Sequence, residues 1–287
     1  MIGTATALAR VREAGFRGLL LGCLATSLAL LGVLVADVFS DGASRLGPDL
    51  LSRFPSFDPA LAGLQSALFG TLWLMGVCTF FVVPIGVATA IYLEEYADRG
   101  RWYNRAVELN VQNLAAVPSV VYGILGLAFL VRGPLSLGRV VLAGGLTLGL
   151  LVLPVVVIAS REAIRAVPAS IREAALALGA TQWQTIRRQV LPAAIPGIAT
   201  GSILALSRAI GETAPLILVG AASFVAFNPS GLHSAYTALP LQIFDWISRP
   251  QPEFQALAAA AIVVLLVLLL AMNGAAMWLR SRYASRF

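Results

Sequence analysis

The sequence has no lysine and a single histidine, His233. All 20 of its basic residues are arginine, which reads as codon usage rather than chemistry. One histidine argues against a histidine-built metal site and against a Ser-His-Asp triad supplied by this chain. Charge is scarce as well. Only 12% of the 287 residues are charged, 59% are hydrophobic, and the mean hydropathy is +0.85. A soluble domain of that composition would lack the polar surface to stay in solution. The two cysteines, Cys23 and Cys78, lie inside apolar runs without metal-ligand spacing and read as small buried hydrophobes. No G-x-x-x-x-G-K-[ST] loop occurs, so ATP is not expected to bind here and no cofactor is expected on this chain.

What is present is a series of long apolar runs. About 20 apolar residues at 1.5 Å rise cross a hydrocarbon core of roughly 30 Å. The runs are 18–36, about 67–93, 106–131, 137–159, 194–220 and 256–279. They predict an all-α integral membrane protein with six transmembrane helices. The first run is longer than the apolar part of a secretion signal and lacks a convincing cleavage site, so it is expected to stay as a membrane helix. Residues 1–17 and 280–287 are then tails, 37–66 an external loop and 67–279 the core. The opening of the third run carries Glu108, Asn110, Gln112 and Asn113, too polar to face lipid.

The net charge of +6 does not signal nucleic acid, because the arginines sit in short blocks between apolar runs. Alternate loops divide them unequally. One side collects Arg10, Arg12, Arg17, Arg99, Arg101, Arg105, Arg161, Arg165, Arg172, Arg187, Arg188, Arg280, Arg282 and Arg286. The other collects only Arg45, Arg53, Arg132, Arg139 and Arg249. The positive-inside rule makes the first side cytoplasmic and places both termini there.

Residues 161–192 form a charged segment between the fourth and fifth runs. Pro168 fits a helix start, Ile171, Ala174, Ala175 and Leu178 repeat at helical spacing, and Gly179 fits a helix stop. A second amphipathic stretch from Trp183 to Val190 leads to Leu191 and Pro192. Two short helices at an angle are expected, an elbow. Such an elbow suits docking into a groove on a soluble motor, or lying on the bilayer surface; composition leaves both open.

Deep in the fifth run lie Arg208 and Glu212. Arg208 is about 14 residues past Ala194, roughly 21 Å along a helix. Four residues separate the pair, so on a helix they share a face. Charges at that depth cost at least about 2.5–3.5 kcal/mol each and must face protein or a wet cavity. They are either a tolerated ion pair or a working site. An arginine offers a planar donor fork to oxyanions and a carboxylate repels them, so the pair hints at an anion that carries a proton.

Three stretches resemble a known family. Glu173-Ala174-Ala175, Gly179 and Leu191-Pro192 resemble the EAA loop of ABC importer permeases, with Gln189 standing where an apolar residue is usual. Arg208-Ala-Ile-Gly-Glu-Thr-Ala-Pro215 and Val117-Pro-Ser-Val-Val-Tyr-Gly123 resemble the phosphate-specific ABC permeases. The stretch from Thr237 to Ile247 is similar to the PstA type rather than to its sister, the PstC type. The resemblance implies a type I importer permease that is a transport subunit rather than an enzyme. It implies an elbow that couples to the ATPase through Glu173, Ala174, Ala175 and Gly179, and a phosphate pathway that includes Arg208, Glu212, Thr213 and Ser119. The implied partners are a second permease subunit, two ATPase subunits carrying ATP and Mg, a periplasmic phosphate-binding protein and the lipids of a bacterial inner membrane. Asp245, Trp246 and Arg249 either touch the binding protein or belong to a loop that only packs on the permease. Gly197 and Gly201 read as helix contacts rather than ligands. The rival classes are a secondary transporter with Arg208 and Glu212 in a proton relay, which needs no elbow, and an intramembrane enzyme, for which clustered nucleophile, base or metal ligands are missing.

Overall fold

The computed structural model describes residues 7–98, 100–221 and 224–284. Residues 1–6, Arg99 and residues 285–287 with Arg286, all assigned above to the arginine-rich side, lie outside the described residues. The described chain is helical, without a strand. Five helices are long and apolar enough to cross a membrane, or six spans if one sharply bent pair counts as a single crossing.

In chain order these are α1 (Ala7–Gly42), the short α2 (Pro48–Ser52), α3 (Gln65–Ile91) with a π-helical turn Tyr92–Tyr96, and α4 (Trp102–Ala115). Next come α5 (Ser119–Leu125), extended by a π-helical turn Gly126–Val131, and α6 (Val141–Arg165). The elbow is α7 (Ala169–Ala177) and α8 (Gln182–Thr185), which runs through a π-helical turn Ile186–Val190 into α9 (Leu191–Ile210). The rest is α10 (Ala214–Val219), α11 (Leu239–Ile247) and α12 (Pro252–Ala284).

Helix α6 is the central post, packed between α3 and α9. Lipid tails are as apolar as leucine, so helices in a bilayer associate by close packing of small residues rather than by hydrophobic drive. The sequence supplies those residues at the contacts. Gly86 of α3 faces Val156, where an added Cβ would stand 2.8 Å from the valine Cγ1. Gly145 of α6 faces Val77 in the same way, at 2.6 Å. On the other flank Gly197 and Gly201 of α9 lie against Ala163 and Ala159 of α6. These two glycines are therefore helix contacts. Around the post sits the main apolar core, including Leu74, Val82, Leu148, Val152, Val156, Ala205 and Leu216. The span formed by α1 is almost free of the body; its far end packs on α12, where Gly42 abuts Ala260.

The third apolar run does not form the continuous helix that its length predicts. Helices α4 and α5 meet at 108°. Proline disfavours helical backbone in the residue before it and has no N–H to give, and Pro118 stands at the corner. The Leu114 carbonyl, which Pro118 cannot serve, accepts from Val117 N at 3.1 Å and from Tyr122 Oη at 2.8 Å. The polar helix α4 is thus turned away from the direction of α5. The fifth run is also broken. Helix α9 stops at Ile210, Gly211 to Thr213 leave the helix, and α10 resumes at Ala214. Pro215 again withholds the N–H that a continuous helix would need at this point.

Candidate functional site

Arg208 lies in the last turn of α9, where the unpaired carbonyl end of a helix favours a cation. Glu212 does not share its helix face, as a continuous fifth span would require. It sits in the break, and the two meet across it with Arg208 Nε donating to Glu212 Oε1 at 3.3 Å. Glu212 is mostly covered, at 17% side-chain exposure, while Arg208 is open at 58%. The Arg208 Nη groups bond to nothing else among the described residues. One N–H of the guanidinium is therefore engaged and the four on the Nη atoms are free among the described residues. Thr213 is in the same break, its hydroxyl reaching Gly211 O at 3.4 Å.

Ser119 opens α5 and has no side-chain partner among the described residues. No hydrogen bond links it to Arg208, Glu212 or Thr213. Its segment nevertheless meets theirs. Gly123, one turn along α5, lies against Pro215 and Leu218 of α10, and a Cβ there would come 2.7 Å from Pro215 Cα. The Pro118–Gly123 motif and the Arg208–Pro215 motif are thus packed together, the two corners of the two broken helices touching. Ser207 of α9 bonds to Asn273 of α12 and closes the opposite flank. Asn273 went unnoticed in the sequence because one amide in a long apolar run is a weak signal.

At the other end of the molecule the elbow has the predicted form. Gly179 adopts a left-handed φ of +82°, and its N–H and that of Ala180 cap the carbonyls of Leu176 and Ala175. Thr181 and Gln184 form a reciprocal capping box that starts α8. The apolar positions of α7 are divided, not united. Ile171 packs inward on the cluster of Ala90, Ile164, Val190 and Ala194. Ala174 and Leu178 face out with Leu176 and Trp183; Leu178 is 90% exposed. Glu173 and Gly179 are exposed as well, and Ala175 is half-buried.

Below the elbow is a charge clamp that sequence reading did not foresee. The buried Arg161 pairs with Glu94 at 2.9 Å and Glu108 at 2.8 Å, and Arg165 reaches Glu94 at 2.7 Å. Arg172 of α7 holds Glu95 at 2.7 Å and also donates to Ile164 O and Val167 O. Gln182 of α8 bonds to Glu95 O. One polar knot therefore joins the ends of α3 and α6, helix α4, and the elbow. The signal available in the sequence was the adjacent acids Glu94-Glu95 amid arginines.

Helix α11 decides between the two readings of Trp246. Trp246 is fully buried, packed near Phe254, so it is a core residue and not a contact for another protein. Asp245 and Arg249 pair with each other at 2.8 Å, and Arg249 lies over Phe254. A cavity of about 790 Å³ is an apolar groove between α3 and α6 lined by Phe69, Trp73, Phe80 and Leu146. No charged side chain lines it.

Residues 82–285 match the model of the family described as binding-protein-dependent transport system inner membrane component. The chain belongs to that family. Among individual relatives it is 31% identical over 269 residues to the probable ABC transporter permease protein YqgI of Bacillus subtilis, covering 90% of this chain and 91% of that one. It is 32% identical to the phosphate transport system permease protein PstA of Yersinia pestis, over 87% and 84% of the two chains. In structure, 98% of the chain superposes on 99% of a chain from the bacterial alginate ABC transporter in complex with alginate pentasaccharide-bound periplasmic protein, with a TM-score of 0.69 at 19% identity. The fold is that of an ABC importer permease, a multi-pass membrane protein and a transport subunit. The family match takes in the elbow and the broken fifth span and leaves out α1 and most of α3.

Proposed function

We propose that the chain is one of two permease subunits of an ATP-driven importer of inorganic phosphate in a bacterial inner membrane, of the PstA type. A periplasmic binding protein delivers the anion, a sister permease completes the pathway, and two ATPases dock on the cytoplasmic face, where both termini lie. ATP and Mg belong to those ATPases. The observation that carries this reading is Arg208 with a partly free guanidinium beside Glu212, set in the break of a membrane helix. An open fork suits a tetrahedral oxyanion. The carboxylate beside it accepts a hydrogen bond from an anion that keeps a proton near neutral pH, as phosphate does, and repels one that has none, as sulfate. The relatives named for phosphate transport support the same substrate. The exposed apolar side chains of the elbow, Leu176, Leu178 and Trp183, support its docking on an ATPase through Glu173, Ala174, Ala175 and Gly179.

The test is purification of the tagged chain with its co-expressed partners and reconstitution with the binding protein. Phosphate uptake should require ATP inside the vesicle-bound complex and should exceed sulfate uptake. Uptake driven by a proton gradient without ATP, or a chain that purifies free of any ATPase, would replace this reading with secondary transport.

A further inference from the structure

A second cationic site lies on the side opposite the elbow. Arg132 and Arg139 flank the turn between α5 and α6. That turn is fixed by Leu137 N donating to Leu130 O at 2.9 Å and by Leu142 N donating to Leu232 O at 2.9 Å. Both arginines line one cavity of about 650 Å³, together with Leu127, Leu218, Gly220 and Phe224. No acidic side chain lines it, and neither arginine has a hydrogen bond or ion pair among the described residues. Gly220, at φ +84°, ends α10, and Arg139 lies across it, its Nε 2.6 Å from where a Cβ would be.

Unpaired arginines here need a reason. Few arginines occur on this side, and Arg53 and Arg249 are neutralised by Asp49 and Asp245. Arg132 and Arg139 share a cavity with no counter-charge, an arrangement that costs mutual repulsion and is relieved by an anion. The cavity also shares a helix with the site in the broken span. Ile217 and Leu218 of α10 line the cavity, and Glu212 and Thr213 immediately precede the same six-residue helix, which spans about 9 Å at helical rise.

We propose that Arg132 and Arg139 form an outer receiving site for the oxyanion, occupied on release from the binding protein and before Arg208. The inference rests on the reading of the chain as an oxyanion permease. The test uses the assembled complex with Cys23 and Cys78 replaced by Ala and Ala235→Cys placed in the cavity wall. The rate of modification by an anionic thiosulfonate, relative to a cationic one, should fall about 10-fold in the Arg132→Gln/Arg139→Gln variant, because a cavity of one charge sign concentrates the opposite ion. Inorganic phosphate should slow the anionic reagent in the parent and not in the variant. Uptake should fall by about the same factor with the complex's affinity for its binding protein unchanged, and Arg132→Lys/Arg139→Lys should restore most of it. Loss of binding-protein affinity in the Gln variant would overturn the proposal and make the arginines a docking surface for acidic side chains. Unchanged uptake, or labelling insensitive to phosphate, would overturn it as well. If the parent complex imports no phosphate, the functional reading fails separately, and the reagent ratio still reports whether the cavity draws anions.

Discussion

Arg172 on the elbow grips Glu95 at the foot of α3 at 2.7 Å while donating to two carbonyls at the end of α6. Three elements, one of them 77 residues away in the sequence, are pinned by one guanidinium. A displacement of α7 by a docked partner is therefore delivered to α3 and α6 together. Replacing Arg172 by Ala should leave the assembled complex hydrolysing ATP at its basal rate while binding-protein-stimulated hydrolysis and uptake fall at least about 10-fold. The reciprocal exchange Arg172→Glu with Glu95→Arg should recover part of the loss, with a coupling of about 1–3 kcal/mol between the two positions. Tight coupling in the Ala variant would show that the contact only holds the fold.

Gly179 offers a separate handle on the elbow. Its φ of +82° costs an L-residue about 1–2 kcal/mol, and proline cannot reach it at all. Gly179→Ala should transport close to normally, since no neighbour lies within reach of an added Cβ. Gly179→Pro should reach the membrane but hydrolyse ATP without uptake. Normal uptake by the proline variant would remove the elbow from the coupling path.

The orientation is tested by labelling. Cysteines at Arg101 and Arg187 should react only from the cytoplasmic side and one at Asn228 only from the periplasmic side, in intact cells against inverted vesicles. Reaction of Arg187→Cys and Asn228→Cys from the same side would break the topology.

Glu212→Gln keeps the shape beside Arg208, removes the charge and adds a donor. Phosphate uptake should slow and the preference over sulfate should narrow, in reconstituted complexes given a binding protein able to deliver either anion. Arg208→Ala should cost more, because it strands a largely covered carboxylate; assembly of that variant must be checked by co-purification first. An unchanged phosphate-to-sulfate ratio in Glu212→Gln would leave Glu212 as a structural partner of Arg208.

The sequence carried the spans and the elbow because apolar length and helical spacing are local. Gly179 as a stop, Gly197 and Gly201 as contacts, and the nearness of Arg208 to Glu212 were all legible within a few residues. The direction of the third run was not, since hydropathy records composition and not heading. Pro118 after the polar stretch 108–113 was the visible sign of the corner. The clamp escaped for a different reason. Its pairs join residues 53 to 77 positions apart, and only folding shows that Glu94 and Arg161 are neighbours. Trp246 stayed open between contact and core because a tryptophan in an external segment fits either role when its environment is unknown.

The corner at Pro118 shortens the apolar part of the third crossing. From Ser119 to Val131 it has 13 residues, at most about 20 Å of helix against a hydrocarbon layer of roughly 30 Å. Helix α4, bent away at 108° and carrying Glu108, Asn110, Gln112 and Asn113, stands at one end of that stretch. The apolar wall that α5 can offer an ion is therefore about two thirds as long as one built by a full-length span.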